Sequence, residues 1–176
     1  TPEIARAGIA YAPASIAGVS ALTVRQNLLL GARQSTMDPQ RVEWIVGFLP
    51  ALKKFWNCRA GNLSGGQKQM VAIARAIVEP HRLLLVDEPT KGLAPAIVQS
   101  LLAAFRELKA TGTTILLVEQ NVSFVKRLAD RVAVMDDGRI VHAGSMPEFA
   151  ADRALQARLL GLAPGSQDLA NQGVHS

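Results

Sequence analysis

The sequence predicts an α/β chain built on a largely parallel sheet, and three observations carry that prediction. Apolar runs of strand length alternate with stretches of helical periodicity, the pattern in which parallel strands are joined through helices. Leu83–Val86 is short and continuously apolar, as expected of a strand buried on both faces of such a sheet. That run ends in two adjacent carboxylates, Asp87 and Glu88, at the carboxyl end of a strand, where open α/β sheets bind ligands. Pro89 follows, takes Glu88 out of helical geometry and stops the ladder.

The elements follow in order. Thr23 and Gln26 have the spacing of a capping box before Leu28–Leu30. Asp38-Pro39 is an N-cap with proline at the first helical position, and Val42, Ile45, Val46 and Leu49 form the stripe behind it. Residues 20–62 thus read as a small helical lobe, extended to about residue 75 by the next helix. Ser64 and Gln67 make a second box, and Met70, Ile73, Ala74 and Ile77 recur on one face while Lys68 and Arg75 stay wet. After Leu83–Val86 comes a helix from Pro95 to Lys109 with Ile97, Leu101, Leu102, Phe105 and Leu108 inward. Thr113–Val118 reads as a buried strand, and Asn121 can cap Val122–Leu128. Asp136-Asp137-Gly138 is a hairpin turn, and Ser145 with Glu148 a further box. Beyond Gly161 the chain turns to Gly, Ser, Gln and Asn, the composition of a mobile tail over 162–176.

Composition narrows the class. The 176 residues, half of them apolar, fit one domain. Cys58 is the single cysteine, so no disulfide can form within the chain. No apolar run approaches a membrane span, and no signal peptide is seen, so the expected setting is cytoplasmic. The net charge of +5 is spread along the chain, which suits a solvated face beside an anionic membrane better than a nucleic-acid site. His81, His142 and His175 lack metal-ligand spacing.

Two segments carry chemistry. Leu63-Ser64-Gly65-Gly66-Gln67 opens a helix whose free N–H groups and dipole favour an anion, and the two glycines let a phosphate approach the backbone. Alone, such a start is an ordinary capped helix. Asp87 and Glu88, placed on opposite faces of an extended chain, can do two jobs: Asp87 holds Mg²⁺ through water, and Glu88 orients or deprotonates an attacking water. Alone, the pair could merely solubilise a strand end.

Together, Leu63–Gln67 and Leu83–Glu88, whose first residue lies sixteen positions beyond Gln67, resemble the signature segment and Walker B strand of an ABC-type ATPase. The resemblance runs on through Gly8–Pro13 as the strand entering the Q-loop and Leu22–Leu28 as the opening of the helical subdomain. It continues with Gly92–Pro95 as the D-loop, Ile115–Asn121 as the strand and switch, and Asp130–Met135 with Gly138–Val141 as the last hairpin. It implies an α/β fold of the P-loop NTPase kind, a parallel sheet with a small helical subdomain. No G-x-x-x-x-G-K-[ST] occurs, so the expectation is a domain over 1–161 that lacks its N-terminal phosphate-binding part.

Three positions depart from the general pattern of that family. Ala14 stands where a glutamine usually begins the Q-loop, Gln120 where most members carry the switch histidine, and Pro95 where the D-loop usually has aspartate. An amide donates a hydrogen bond but does not titrate near neutral pH. Gly-Leu-Ala-Pro and Val-Glu-Gln-Asn resemble the forms of importer ATPases for branched-chain amino acids and of their urea and amide relatives. Ala14 does not fit that subgroup.

The resemblance implies the following roles. ATP and Mg²⁺ are bound; Glu88 and Gln120 act in catalysis, Asp87 on the metal, and Ser64, Gly65, Gly66 and Gln67 on the nucleotide of a partner. A second ATPase subunit, the same or different, closes head to tail over ATP. Transmembrane permease subunits complete an importer, with this chain peripheral at the cytoplasmic face of the membrane and no nucleic acid bound. Import of branched-chain amino acids is the first expectation; a urea or amide importer, or a non-catalytic fragment without the phosphate-binding loop, is the alternative.

Overall fold

The computed structural model describes residues 2–13, 19–32 and 36–161. Ala14 and the expected tail over 162–176 lie outside the described residues. The chain gathers into two compact units, 1–122 and 123–176, each described by itself.

The first unit holds a three-stranded parallel sheet in the order β1 (Ile9–Ala12), β2 (Leu83–Asp87), β3 (Thr114–Val118). The register sets Tyr11, Leu85 and Leu116 in one row and Ala10, Leu84 and Ile115 in the next. Side chains alternate across a strand, so these rows belong to opposite faces. Ala10, Ala12, Leu84 and Val86 are buried, whereas Tyr11 is 57% exposed, Leu116 60% and Val118 59%. The expectation of strands buried on both faces is therefore corrected for β2 and β3. β2 buries Leu84 and Val86 and leaves Leu83 and Leu85 half-buried, whereas β3 has Ile115 and Leu117 half-buried between exposed neighbours.

Helix α1 (Pro2–Arg6) packs on β1. The helical lobe begins where the notable side chain is Asn27, fully buried. Its amide donates to the carbonyls of Val19, Leu22 and Thr23, and its oxygen accepts from the Val19 N–H. This ties the entering loop to α2 (Val24–Leu29), whose Thr23–Gln26 capping box forms as expected. Helix α3 (Pro39–Phe48) starts at Asp38 with proline at its first turn, and Ile45, Val46 and Leu49 are buried. A short helix α4 (Ala51–Lys54) and a 3₁₀ turn (Ala60–Asn62), neither evident from periodicity, lead into α5 (Gly65–Ile77).

α5 is the hub of this unit. It lies against β1, α2 and α4, and Gln69–Ala74, Ala76 and Ile77 are all buried. A single apolar stripe was expected; the burial is nearly all round because neighbours stand on several sides. Arg75, expected to stay wet, is half-buried, and burial holds its guanidinium below the ordinary value. Gly31, just past α2, lies tight against α5, since a Cβ there would meet the Arg75 carbonyl oxygen at 2.2 Å. α3 is fixed by Arg41, whose Nε donates to the Ile77 carbonyl at 2.8 Å while its guanidinium stacks over Trp44. Trp44 Nε1 in turn donates to Glu107 at 2.6 Å on α6 (Pro95–Ala110). Leu101, Leu102, Phe105 and Leu108 of α6 are buried as expected.

In the second unit, α7 (Val122–Leu128) precedes the antiparallel pair β4 (Arg131–Asp136) and β5 (Arg139–Ser145). The two-residue turn has Asp137 and Gly138 both at positive φ, the hairpin chemistry expected there. Helices α8 (Met146–Ala151) and α9 (Arg153–Leu160) follow, with Val134, Met146 and Phe149 as the core. Ser145 accepts from the Glu148 N–H, but its hydroxyl donates to the Glu148 carboxylate at 2.6 Å, so the expected box is present in one arm only. Gln156 is buried, donates to the Phe149 carbonyl and accepts from Lys126.

Candidate functional site

The start of α5 is built by its own sequence. Ser64 Oγ accepts from the Gln67 N–H at 3.3 Å, and Gln67 Oε1 accepts from the Ser64 N–H at 2.9 Å. The box satisfies both ends of itself and leaves the N–H groups of Gly65 and Gly66 without an acceptor among the described residues. These groups, at the positive end of a 13-residue helix, suit an anion. Gly65 is exposed, with nothing within 4 Å of where a Cβ would stand. Gly66 is different: a Cβ there would meet the Gly92 carbonyl oxygen at 2.7 Å. The signature segment therefore rests directly on the loop that follows β2, with Gly92 itself at φ +70°.

That loop carries the carboxylates. Asp87 closes β2 beside Val118 of β3. Glu88 has φ +44°, a left-handed conformation unusual for a residue with a side chain. The expectation of an extended Asp87-Glu88 pair facing opposite ways is thus corrected: the chain leaves the strand at Glu88. The Glu88 N–H still donates to the Val118 carbonyl at 2.8 Å, which holds the bend against β3. Its side chain is 19% exposed. Lys91 Nζ donates to one carboxylate oxygen at 2.6 Å and Gln120 Nε2 to the other at 2.7 Å. The Lys91 contact first, helped by Gln120, holds the Glu88 carboxyl below its ordinary value, and the same pair raises Lys91.

The structure thus brings Glu88, Gln120 and Asp87 together at the carboxyl ends of β2 and β3, with Gly66 against the adjoining loop. Two participants were not singled out in the sequence. Lys91 lies three residues after Glu88 in a tight turn, a spacing that brings two side chains together. Glu119 stands between the last residue of β3 and α7, where a carboxylate can take up N–H groups. Oε1 of Glu119 accepts from the N–H groups of Gln120 and Asn121, and its Oε2 accepts from the N–H and hydroxyl of Thr90.

The residues fit a Mg²⁺–nucleotide. Asp87 offers a hard carboxylate oxygen. No cluster of three or more His, Cys, Asp or Glu able to hold a metal exists among the described residues. Mg²⁺ needs no such cage, since one or two carboxylates with phosphate oxygens and water suffice. A groove of about 510 Å³ opens elsewhere, on the helical lobe, lined by residues including Arg25, Leu29, Lys53 and Trp56. None of the candidate site residues lines it. No helix among the described residues is long and apolar enough to cross a membrane.

A parallel sheet with carboxylates at its strand ends, and a glycine-opened helix against them, defines an open α/β protein whose candidate site lies where such sheets bind ligands. The ABC transporter family model matches residues 1–91. The branched-chain amino acid transport ATP-binding protein BraG of Pseudomonas aeruginosa is 41% identical over 140 residues, 78% of this chain and 60% of that protein. The methionine import ATP-binding protein MetN of Haemophilus influenzae is 49% identical over 138 residues, 76% of this chain and 40% of that protein. The solved structure of an ATP-binding subunit of an ABC transporter superposes with a TM-score of 0.74 at 28% identity, covering 91% of this chain and 68% of that one. An ATP-binding cassette in its ADP conformation gives 0.67 at 27% identity, over 91% and 71%. The chain belongs to the ABC transporter family, and it spans about 60% of the length of BraG and 40% of that of MetN.

Proposed function

We propose that this chain is part of the ATP-hydrolysing subunit of an ABC importer, with residues 1–161 in one ATPase domain and its helical subdomain at about 20–75. The observation that carries the reading is the meeting of Glu88 and Gln120, 32 residues apart, at 2.7 Å where β2 and β3 end. A carboxylate placed there and held by an amide can orient a water for attack on a phosphoryl group. Asp87 would hold Mg²⁺, which supplies charge neutralisation on the phosphates. Ser64, Gly65, Gly66 and Gln67 would present the helix start to the phosphates of ATP held by a second ATPase subunit, identical or not. Gln120 keeps its charge state as pH changes, so it positions by donating a hydrogen bond and does not exchange protons. Lys91 takes one acceptor site on the second oxygen of Glu88, and the remaining site on that oxygen would be open to a water.

The partners follow from the same reading. Transmembrane permease subunits would carry the cargo, and this chain would sit at the cytoplasmic face of the membrane without entering it. Branched-chain amino acid import is the first substrate reading, supported by Gly92–Pro95, Val118–Asn121 and the likeness to BraG. Methionine import is favoured by the MetN likeness, and urea or short amides remain the further alternative from the sequence. The test is uptake by cells lacking the gene. Loss of labelled leucine uptake with methionine and urea uptake intact supports the first reading; selective loss of either of the others moves the protein there.

A further inference from the structure

The hydrogen bonds of Glu119 exceed what a strand end requires. Its carboxylate takes four donors: the Thr90 N–H at 3.1 Å, the Thr90 hydroxyl at 2.8 Å, the Gln120 N–H at 2.9 Å and the Asn121 N–H at 3.0 Å. Two of these donors belong to the loop after β2 and two to the loop after β3. One carboxylate therefore joins the loops that carry Glu88 and Gln120. Bonds to an ionised acceptor are the strong class, and a carboxylate can take four.

We propose that Glu119 is a positioning residue for the hydrolytic site, fixing the Gln120 backbone and the Thr90 turn together so that the Gln120 amide reaches Glu88. This rests on the ATPase reading for its purpose, although the contact itself does not. The geometry is specific about each arm. Oε1 of Glu119 holds Gln120 at its own N–H, two residues past the end of β3, and so sets where the Gln120 side chain starts. Oε2 holds Thr90, two residues after Glu88, in the turn where the Lys91 N–H donates to the Glu88 carbonyl at 3.2 Å. The direct strand contact nearby, from the Glu88 N–H to the Val118 carbonyl, fixes the backbone but not the side chains beyond it. A glutamine at 119 would keep one acceptor oxygen and turn the other into a donor facing N–H groups, so one arm would be lost. An aspartate would be a methylene short of spanning both loops.

The test reads the Gln120 side-chain amide by nitrogen-labelled NMR in the 176-residue chain without nucleotide, so its failure is separate from failure of the ATPase reading. Glu88→Ala supplies the signal of an unbonded Gln120 amide. Glu119→Gln is expected to move the parental signal to that unbonded position, with the backbone amides of Leu84–Val86 unchanged. Thr90→Val, which removes only the hydroxyl arm, is expected to move it part of the way. If the Leu84–Val86 amides also shift in Glu119→Gln, the sheet has been disturbed and Thr90→Val alone decides. A Gln120 amide that stays at its parental position while the Thr90 and Asn121 backbone amides move would overturn the proposal and leave Glu119 a loop closure.

Discussion

The two ends of the candidate site dispose of their polar groups by opposite routes. At the start of α5 the partners are three residues apart: Ser64 and Gln67 close a box on each other and leave the glycine N–H groups open. Around Glu88 and Glu119 there are local contacts too, from Lys91, Gln120 and Asn121, but those that join the two loops, Thr90 to Glu119 and Gln120 to Glu88, span 29 and 32 residues and form only because β2 and β3 lie side by side. The first end is a property of a short segment. The second is a property of the sheet. An anion site can be written into a helix start, whereas a positioned carboxylate needs two loops brought together by tertiary structure.

The largest effect expected from breaking this contrast is at the second end. In a form of the protein that carries a phosphate-binding loop, Glu88→Gln should lower ATP turnover by about 10²–10⁴-fold, the usual worth of a positioned base. Nucleotide binding, measured by equilibrium titration, should persist, and an ATP-bridged pair of subunits should accumulate. Turnover at the parental rate would move the base elsewhere.

The next effect separates the two glycines of the first end. Gly66→Ala places a Cβ 2.7 Å from the Gly92 carbonyl oxygen, so backbone must move. Overpacking of this kind costs about 1–3 kcal/mol, readable in urea unfolding. Gly65→Ala meets open space and should stay within about 0.5 kcal/mol of the parent. Gly65→Asp should also leave the fold intact, since a carboxylate suits a helix start. It should nonetheless abolish ATP-driven subunit pairing, by putting a negative charge where a phosphate would sit. Equal losses of stability from Gly65→Ala and Gly66→Ala would mean that the contact with Gly92 is not rigid.

The same contrast decides what the sequence could disclose. The boxes at Thr23–Gln26 and Ser64–Gln67, the Asp38-Pro39 start and the Asp137-Gly138 turn are all local chemistry, and each is found as read. The strand over Leu83–Val86 was legible because it is an uninterrupted apolar run. What periodicity could not supply was the surroundings. α5 shows one stripe in sequence but is buried nearly all round, and β3 reads as buried although Leu116 and Val118 lie open. Side-chain type does not tell how many neighbours arrive. At the candidate site the sequence singles out Asp87, Glu88 and Gln120, but it does not disclose the left-handed bend at Glu88 or the Lys91 and Glu119 contacts. The bend and the Lys91 contact belong to the turn after β2, whose conformation residue type alone does not fix, and the Thr90–Glu119 contact depends on β2 and β3 lying side by side, which fixes which loop residue faces which.

The smallest effect sharpens the first end further. Ser64→Ala removes the acceptor for the Gln67 N–H and should cost about 1 kcal/mol of stability, the typical value for a lost cap. The box is local, so the loss should also appear outside the fold. A peptide spanning residues 62–78 should lose helix content by circular dichroism on the same substitution, although its helicity will be modest at that length. Thr90→Val offers the control, because its partner Glu119 is 29 residues away and absent from any short peptide. A peptide of residues 84–100 should show no change in helix content on Thr90→Val, while the folded chain loses stability. If Ser64→Ala left the peptide unaltered and destabilised only the folded chain, the cap would depend on tertiary neighbours as Glu119 does. The two ends of the site would then be built by the same route.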